Sequence, residues 1–200
     1  MILHQVKVHP SKVALPKSEQ LAWKIAEVAS ASTAIDPLAG EMVINRIIDN
    51  ASVAIAAINR EPVANARTQA LAHPRANGAA IFGLSPTQRF DCEWSAWANG
   101  VAVRELDMHD TFLAADYSHP GDNIPPLLAV AQQTGRSGAD LLRGILVAYE
   151  IQMDLVRAIC LHEYKKDHIA HLCPSAAAGI GAMLGLDTDT IVRAALDLTD

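Results

Sequence analysis

The chain has 200 residues, half of them hydrophobic and only 4% aromatic, and its formal charge is 16 minus 22, or −6. That length allows one domain with a sizeable core, and the alanine-rich, aromatic-poor composition favours packed helices over a β-sandwich. The negative balance argues against nucleic acid as the main partner. Three widely spaced cysteines, Cys92, Cys160 and Cys173, form no Cys-x-x-Cys pair and indicate neither a disulfide framework nor a zinc or iron–sulfur site. The first ten residues lack the apolar core of a signal peptide, and the longest near-apolar run, Ala176 to Leu186, is too short to span a bilayer. The expectation is a soluble, cytoplasmic protein with reduced thiols and no membrane partner.

In chain order, Ser18 to Ala29 reads as a short helix with Ser18 as its cap. Asp36-Pro37 opens a stronger one, proline being favoured at the first helical position. Its apolar residues Ile44, Ile47, Ile48, Ala51, Ile55 and Ile58 recur at helical spacing, and Arg46, Asp49 and Asn50 lie off that stripe. Glu61 to His73 reads as a third helix, Pro74 to Gly78 as a turn, and Ala79 to Gly83 as a short strand. Ser85 and Gln88 have the spacing of a capping box. A helix through Trp94 and Trp97 follows, both tryptophans being expected in the core, and Pro125 to Thr134 forms another, ended by Gly135. Ser137 begins the longest helix, to about His162, with Leu142, Ile145, Leu146, Tyr149, Met153, Val156 and Cys160 as its apolar stripe; about 25 residues would span about 37 Å. Pro174 starts a helix of small residues, and Thr188 or Asp189 opens the last, Ile191 to Leu198. That helix is still amphipathic where the chain stops, which predicts that these residues belong to a larger protein.

The polar centre of this apolar pattern is the stretch from Asp107 to Pro126, with Asp107, His109, Asp110, Thr111, Ser118, His119 and Asp122 close together. If the preceding helix runs through Asp107, then Asp107, Asp110 and Thr111 share one face of its last turn. His109 and Asp110 are otherwise read as capping or solvent-facing. Asp122 or Asn123 is the expected N-cap of the next helix, whose free N–H groups beside His119 suit an anion. A second histidine group, His162, His168 and His171, surrounds Lys165, Lys166 and Asp167. Its spacing is not that of a zinc protease, so no metal is expected, and acid–base and carboxylate-binding roles fit imidazole and ammonium better. Gly179-x-Gly181-x-x-x-Gly185 lacks the preceding strand of a dinucleotide loop and reads as helix packing. Ser118 has no nucleophile elbow around it.

These residues also carry a resemblance. Ala98-Asn-Gly-Val-Ala102, Asp107-Met-His-Asp-Thr111 and Ser118-His119-Pro120 resemble the MmgE/PrpD family. Asn45 to Asn50, Ala70 to Pro74, Phe112 to Pro120, and His168-Ile-Ala-His-Leu-Cys-Pro-Ser175 followed by Gly179-Ile-Gly181 are most similar to the branch that dehydrates 2-methylcitrate. The resemblance covers almost the whole chain. It implies an all-α fold with at most one very short strand, residues 1–200 being the N-terminal part of the family's large helical domain. A smaller α/β domain would follow Asp200.

It also implies conversion of 2-methylcitrate to 2-methyl-cis-aconitate in propionate catabolism, without an iron–sulfur cluster or other cofactor, by a cytoplasmic homodimer acting on a small tricarboxylate. The family pattern maps its active-site aspartate, threonine and loop histidine onto Asp107, Thr111 and His119. A further histidine maps onto His168, with His171 as second choice. A lysine of the decarboxylating branch would fall past Asp200. The rivals are cis-aconitate decarboxylation, another polycarboxylate lyase or isomerase activity, and a non-catalytic helical interaction protein.

Removing water from a tertiary alcohol flanked by carboxylates needs a base for a weakly acidic C–H and an acid for the leaving hydroxide. It also needs donors that favour the charge growing on the carboxylate. On this reading His119 and His168 are the acid–base pair in unassigned order, and Asp107 orients one of them or acts as base. Thr111 and Ser118 hydrogen-bond the substrate, and His171, Lys165 and Lys166 help to hold its carboxylates.

Overall fold

The computed structural model describes residues 9, 10 and 12–197, the last two by their backbone alone. Most of the first ten residues and Leu198, the expected end of the last helix, lie outside them. The expected helical class is what the chain adopts: eight α-helices run through the described residues. α1 spans Leu21–Ser30, and Ser18, expected to cap it, lies instead in a preceding 3₁₀ turn. α2 (Pro37–Ala56) begins as its sequence dictates, Asp36 accepting from the N–H groups of Leu38 and Ala39 at 2.9 and 3.2 Å. α3 is Glu61–Ala70.

The next extended segment, β1 (Pro74–Ala79), lies five residues before the expected strand. It bridges to Phe90 at both Pro74 and Ala79, and a Cβ on Gly78 would collide with the Phe90 backbone. Ser85 caps nothing; its hydroxyl bonds Thr87 at 2.9 Å. The helix instead starts at α4 (Cys92–Arg104), where Asp91 accepts from Glu93 N. Two-residue strands β2 (Phe112–Leu113) and β3 (Tyr117–Ser118) pair antiparallel, so extended residues exceed the single short strand expected. α5 (Ile124–Thr134) follows a 3₁₀ turn and ends at left-handed Gly135. A Ser137–Asp140 capping box opens α6 (Gly138–Ala158). Two more 3₁₀ turns lead into α7 (Leu172–Leu184), and α8 (Thr188–Asp197) is the last of the described helices.

The spine is α6 laid against α7. Gly144 and Gly179 meet there so closely that a Cβ on either would press against the other's carbonyl oxygen, at 2.8 and 2.6 Å. α1 and α8 pack on one side of this pair around Ile151, Leu155, Ala178 and Ile191. α2 and α5 pack on the other, around Val43, Leu127, Ile145 and Tyr149. α3 and α4 extend the core through Val63 and Val103.

Two expectations about faces fail. α2 buries Val43, Asn50, Val53 and Ala54, whereas Ile44, Ile48 and Ile55 of the predicted stripe are about half exposed. The helix is apolar on two sides, and its neighbours rather than its periodicity choose which is covered. Trp97 is likewise 53% exposed, while Trp94 stacks on His73 with ring centroids 4.1 Å apart. The three cysteines are unpaired, and no described helix is long and apolar enough to cross a membrane.

Candidate active site

The helix before the polar stretch stops at Arg104, and Asp107 adopts a left-handed backbone, φ 52°, which aspartate tolerates better than most residues. Asp107, Asp110 and Thr111 therefore do not share a helical turn. The chain instead runs out into β2, turns, and returns in β3 with Phe112 opposite Ser118. This hairpin brings Thr111 back beside His119, its hydroxyl 3.3 Å from Nδ1. The same nitrogen donates to the Asp110 carbonyl at 2.9 Å. Nε2 of His119 is thereby left as the atom that exchanges protons.

Buried polar groups fix the loop from beneath. The Asp110 carboxylate accepts from Gly121 N at 2.7 Å and from the Tyr149 hydroxyl at 2.9 Å, with Arg46 3.9 Å away. A Cβ on Gly121 would run into that carboxylate. Asn50, inside the packed face of α2, donates to Gly121 O at 3.0 Å. Asn123 does not cap α5 with its side chain as expected. It turns inward, donating to Pro120 O and to Gln152 Oε1, and accepts from Ser175 at 3.1 Å. Gln152 in turn donates to Ser118. Ser118, expected to meet substrate, is thus fully buried and bonded beneath the site.

Above this floor the rings assemble. His119 lies 4.3 Å from His109 and 5.6 Å from His168, centroid to centroid. Tyr117 packs 4.4 Å from His168 and 4.8 Å from His162. The His162 Nδ1 is 2.7 Å from the buried carboxylate of Asp116. Burial works against charge on Asp116, yet donation from Tyr117 N, His162 and Leu161 N holds its carboxyl below the usual range. His168 enters on a 3₁₀ turn and is buried, with neither ring nitrogen hydrogen-bonded among the described residues. Burial lowers its pKa, against the pull of Asp167. His171 is buried too and its pKa is lowered by desolvation, but it joins none of these ring contacts. Lys165 and Lys166 are exposed on the preceding loop, Lys165 in a left-handed conformation, and their ammonium groups make no ion pair among the described residues.

Sequence reasoning also missed Arg104. Its Nη1 sits 2.8 Å from His109 Nε2 and 3.4 Å from Asp122. Burial is the main reason that the His109 pKa falls to about 4, with His119 and Arg104 adding repulsion. Burial also pushes Asp122 up to about 6, Arg104 opposing. Ligand-capable atoms of Asp107, His109 and His119 all lie within 4.8 Å of one another, close enough to hold a metal ion, but the Arg104 guanidinium on His109 disfavours a second cation there. Gln152, a lone amide one turn from Tyr149 on an apolar helix, was the sequence signal for the buried floor.

A paired set of accessible and buried imidazoles, beside a threonine and an aspartate and above a rigid polar floor, suits proton transfer on a small polar ligand. The chain belongs to the MmgE/PrpD family: residues 19–196 match the MmgE/PrpD N-terminal domain. It is 31% identical over 132 residues to the 2-methylcitrate dehydratase of Salmonella typhimurium, an alignment covering 59% of this chain and 26% of that protein. With the mitochondrial 2-methylcitrate dehydratase of Yarrowia lipolytica it shares 33% over 136 residues, 60% of this chain and 26% of the relative. An alkylcitrate dehydratase from a fungal species is 27% identical over 127 residues, 56% of this chain and 24% of that enzyme. The matched region thus covers about a quarter of the length of these relatives.

Proposed function

We propose that the protein is a hydro-lyase that converts 2-methylcitrate to 2-methyl-cis-aconitate, as part of propionate catabolism. The observation that carries this reading is the facing pair His119 and His168, centroids 5.6 Å apart, in a chain whose curated relatives are named for that dehydration. His168, whose burial favours the neutral imidazole, takes the proton from the carbon next to a substrate carboxylate. His119, its Nδ1 held by the Asp110 carbonyl, delivers a proton from Nε2 to the departing hydroxide, and the two leave as water with the new double bond. Thr111 steadies His119 and reaches the substrate hydroxyl, and Asp107 orients the substrate side of His119. Lys165 and Lys166 supply further attraction for the carboxylates as the site closes over a tricarboxylate, and His171, kept neutral by burial, lines the site. In this reading the reaction needs no cofactor, and the working unit is a cytoplasmic homodimer.

The test is an assay on chelator-treated protein, following absorbance of the conjugated double bond. Turnover of 2-methylcitrate that survives chelation is the expected result. Carbon dioxide released from cis-aconitate, with no turnover of 2-methylcitrate, would place the protein in the decarboxylating branch instead. No reaction with either would overturn the lyase reading.

A further inference from the structure

The sequence reading gave His109 no part in the chemistry, yet its side chain is wholly buried against His119. A guanidinium has only donors, so the 2.8 Å contact from Arg104 makes His109 Nε2 the acceptor. Asp122, 3.5 Å from the same nitrogen, is too distant to claim a proton from it. The imidazole hydrogen therefore sits on Nδ1. That atom is buried and has no hydrogen-bond partner among the described residues. Leaving a buried donor unpaired is unfavourable, and the arrangement makes sense where the partner is a ligand.

A divalent cation is the weaker candidate for that partner. It would have to displace the Nδ1 hydrogen and sit within one ring of Arg104, so two positive charges would share a low-dielectric pocket. A carboxylate meets a donor and a nearby guanidinium, which offset the repulsion of the Asp107 carboxylate beside the cluster. With a pKa of about 4 the ring stays uncharged at working pH, and a neutral imidazole can still polarise a carbonyl or carboxylate by donation.

We propose that His109 is a further substrate-contacting residue, an imidazole locked by Arg104 in the Nδ1–H tautomer that, once its covered edge opens to the ligand, donates to a carboxylate seated against His119. The proposal deepens the polycarboxylate lyase reading and rests on it for the ligand's class.

The experiment is NMR of the protein with ¹⁵N-labelled histidine, using citrate as the probe, alongside kinetics of two variants. His109 should show a protonated Nδ1 and an unprotonated Nε2 at pH 7.5, without titrating between pH 5.5 and 8. Saturating citrate should move the Nδ1–H proton downfield. His109→Phe, which also assigns the signal, should lower kcat for 2-methylcitrate about 100-fold, the usual scale for losing one such donor, with a smaller change in KM. His109→Asn, which keeps an N–H, should recover part of the loss. A hydrogen on Nε2, or an Nδ1–H that citrate leaves unmoved, would overturn the proposal. So would stoichiometric zinc binding that His109→Phe abolishes, which would make the cluster a metal site. Wild-type protein inactive on both 2-methylcitrate and cis-aconitate would instead defeat the lyase reading, and the NMR response to citrate would still decide the role of His109.

Discussion

The α6–α7 pair and the loop from Asp107 to Asn123 solve opposite problems. The helix pair is held by contact: two glycines let backbones touch, and apolar residues from four helices close around them. The loop is held by directed polar bonds, Asp110 to Gly121 and Tyr149, and Asn123 to Gln152 and Ser175. Contact packing depends on volume and tolerates no added atoms. Directed bonds fix side-chain angles, which is what acid–base chemistry needs. The two meet at α6, where Tyr149 and Gln152 project from the packed spine into the loop's floor.

This contrast makes the two regions separable by mutation. Gly144→Val should be the most damaging to stability, because its side chain would strike Gly179 O and Met183 across the helix pair. Overpacking a backbone contact costs about 3 kcal/mol, so thermal unfolding should shift well down while any folded fraction keeps its kcat. Gly121→Ala forces a methyl into the Asp110 carboxylate and should cost about 2 kcal/mol. Here kcat should fall as well, since Asp110 carries His119 on its carbonyl. A Gly121→Ala protein with wild-type melting and activity would show that the loop is not braced as described.

A third effect appears only when pH is varied. Asp122, raised to about 6, binds a proton in the folded state that the unfolded state has lost, so its contribution favours folding at pH 4 and fades as pH rises through 6. His109, lowered to about 4, is neutral when folded and charged when unfolded between pH 4 and 6.5, so its contribution fades as pH falls. The two slopes oppose each other over the same window, and wild-type stability should be nearly flat there as far as this pair is concerned. Asp122→Asn removes one side of the balance. Its stability should drop on acidification from pH 6.5 to 4, by at most about 1.4 kcal/mol per pH unit. Denaturant melts at several pH values read this directly, and an unchanged profile would contradict the balance.

The helices were largely legible because their signals are local. Asp36-Pro37, Gly135 and the Ser137 start each act within one turn. The boundaries that failed were set from far away. α6 ends at Ala158 rather than near His162, with Leu161 N taken by Asp116, 45 residues distant, at 2.8 Å. α4 stops at Arg104, whose side chain turns to His109 and Asp122. The resemblance pointed to Asp107, Thr111, His119 and His168 as a group, and the fold does bring those four to one place. It could not show that Asp110 works through both carbonyl and carboxylate, or that Ser118 faces down. Those facts depend on which side of a two-residue hairpin meets α6, and no sequence period encodes that.

The most direct test of the account is turnover of 2-methylcitrate by His119→Ala, with helical content and melting measured on the same sample. Losing one acid–base group should cost about 10²–10⁴-fold in kcat and leave the fold intact, since His119 hangs from the loop rather than supporting the α6–α7 spine. Near-normal turnover in a folded His119→Ala protein would contradict the acid–base pair on which the proposed chemistry stands.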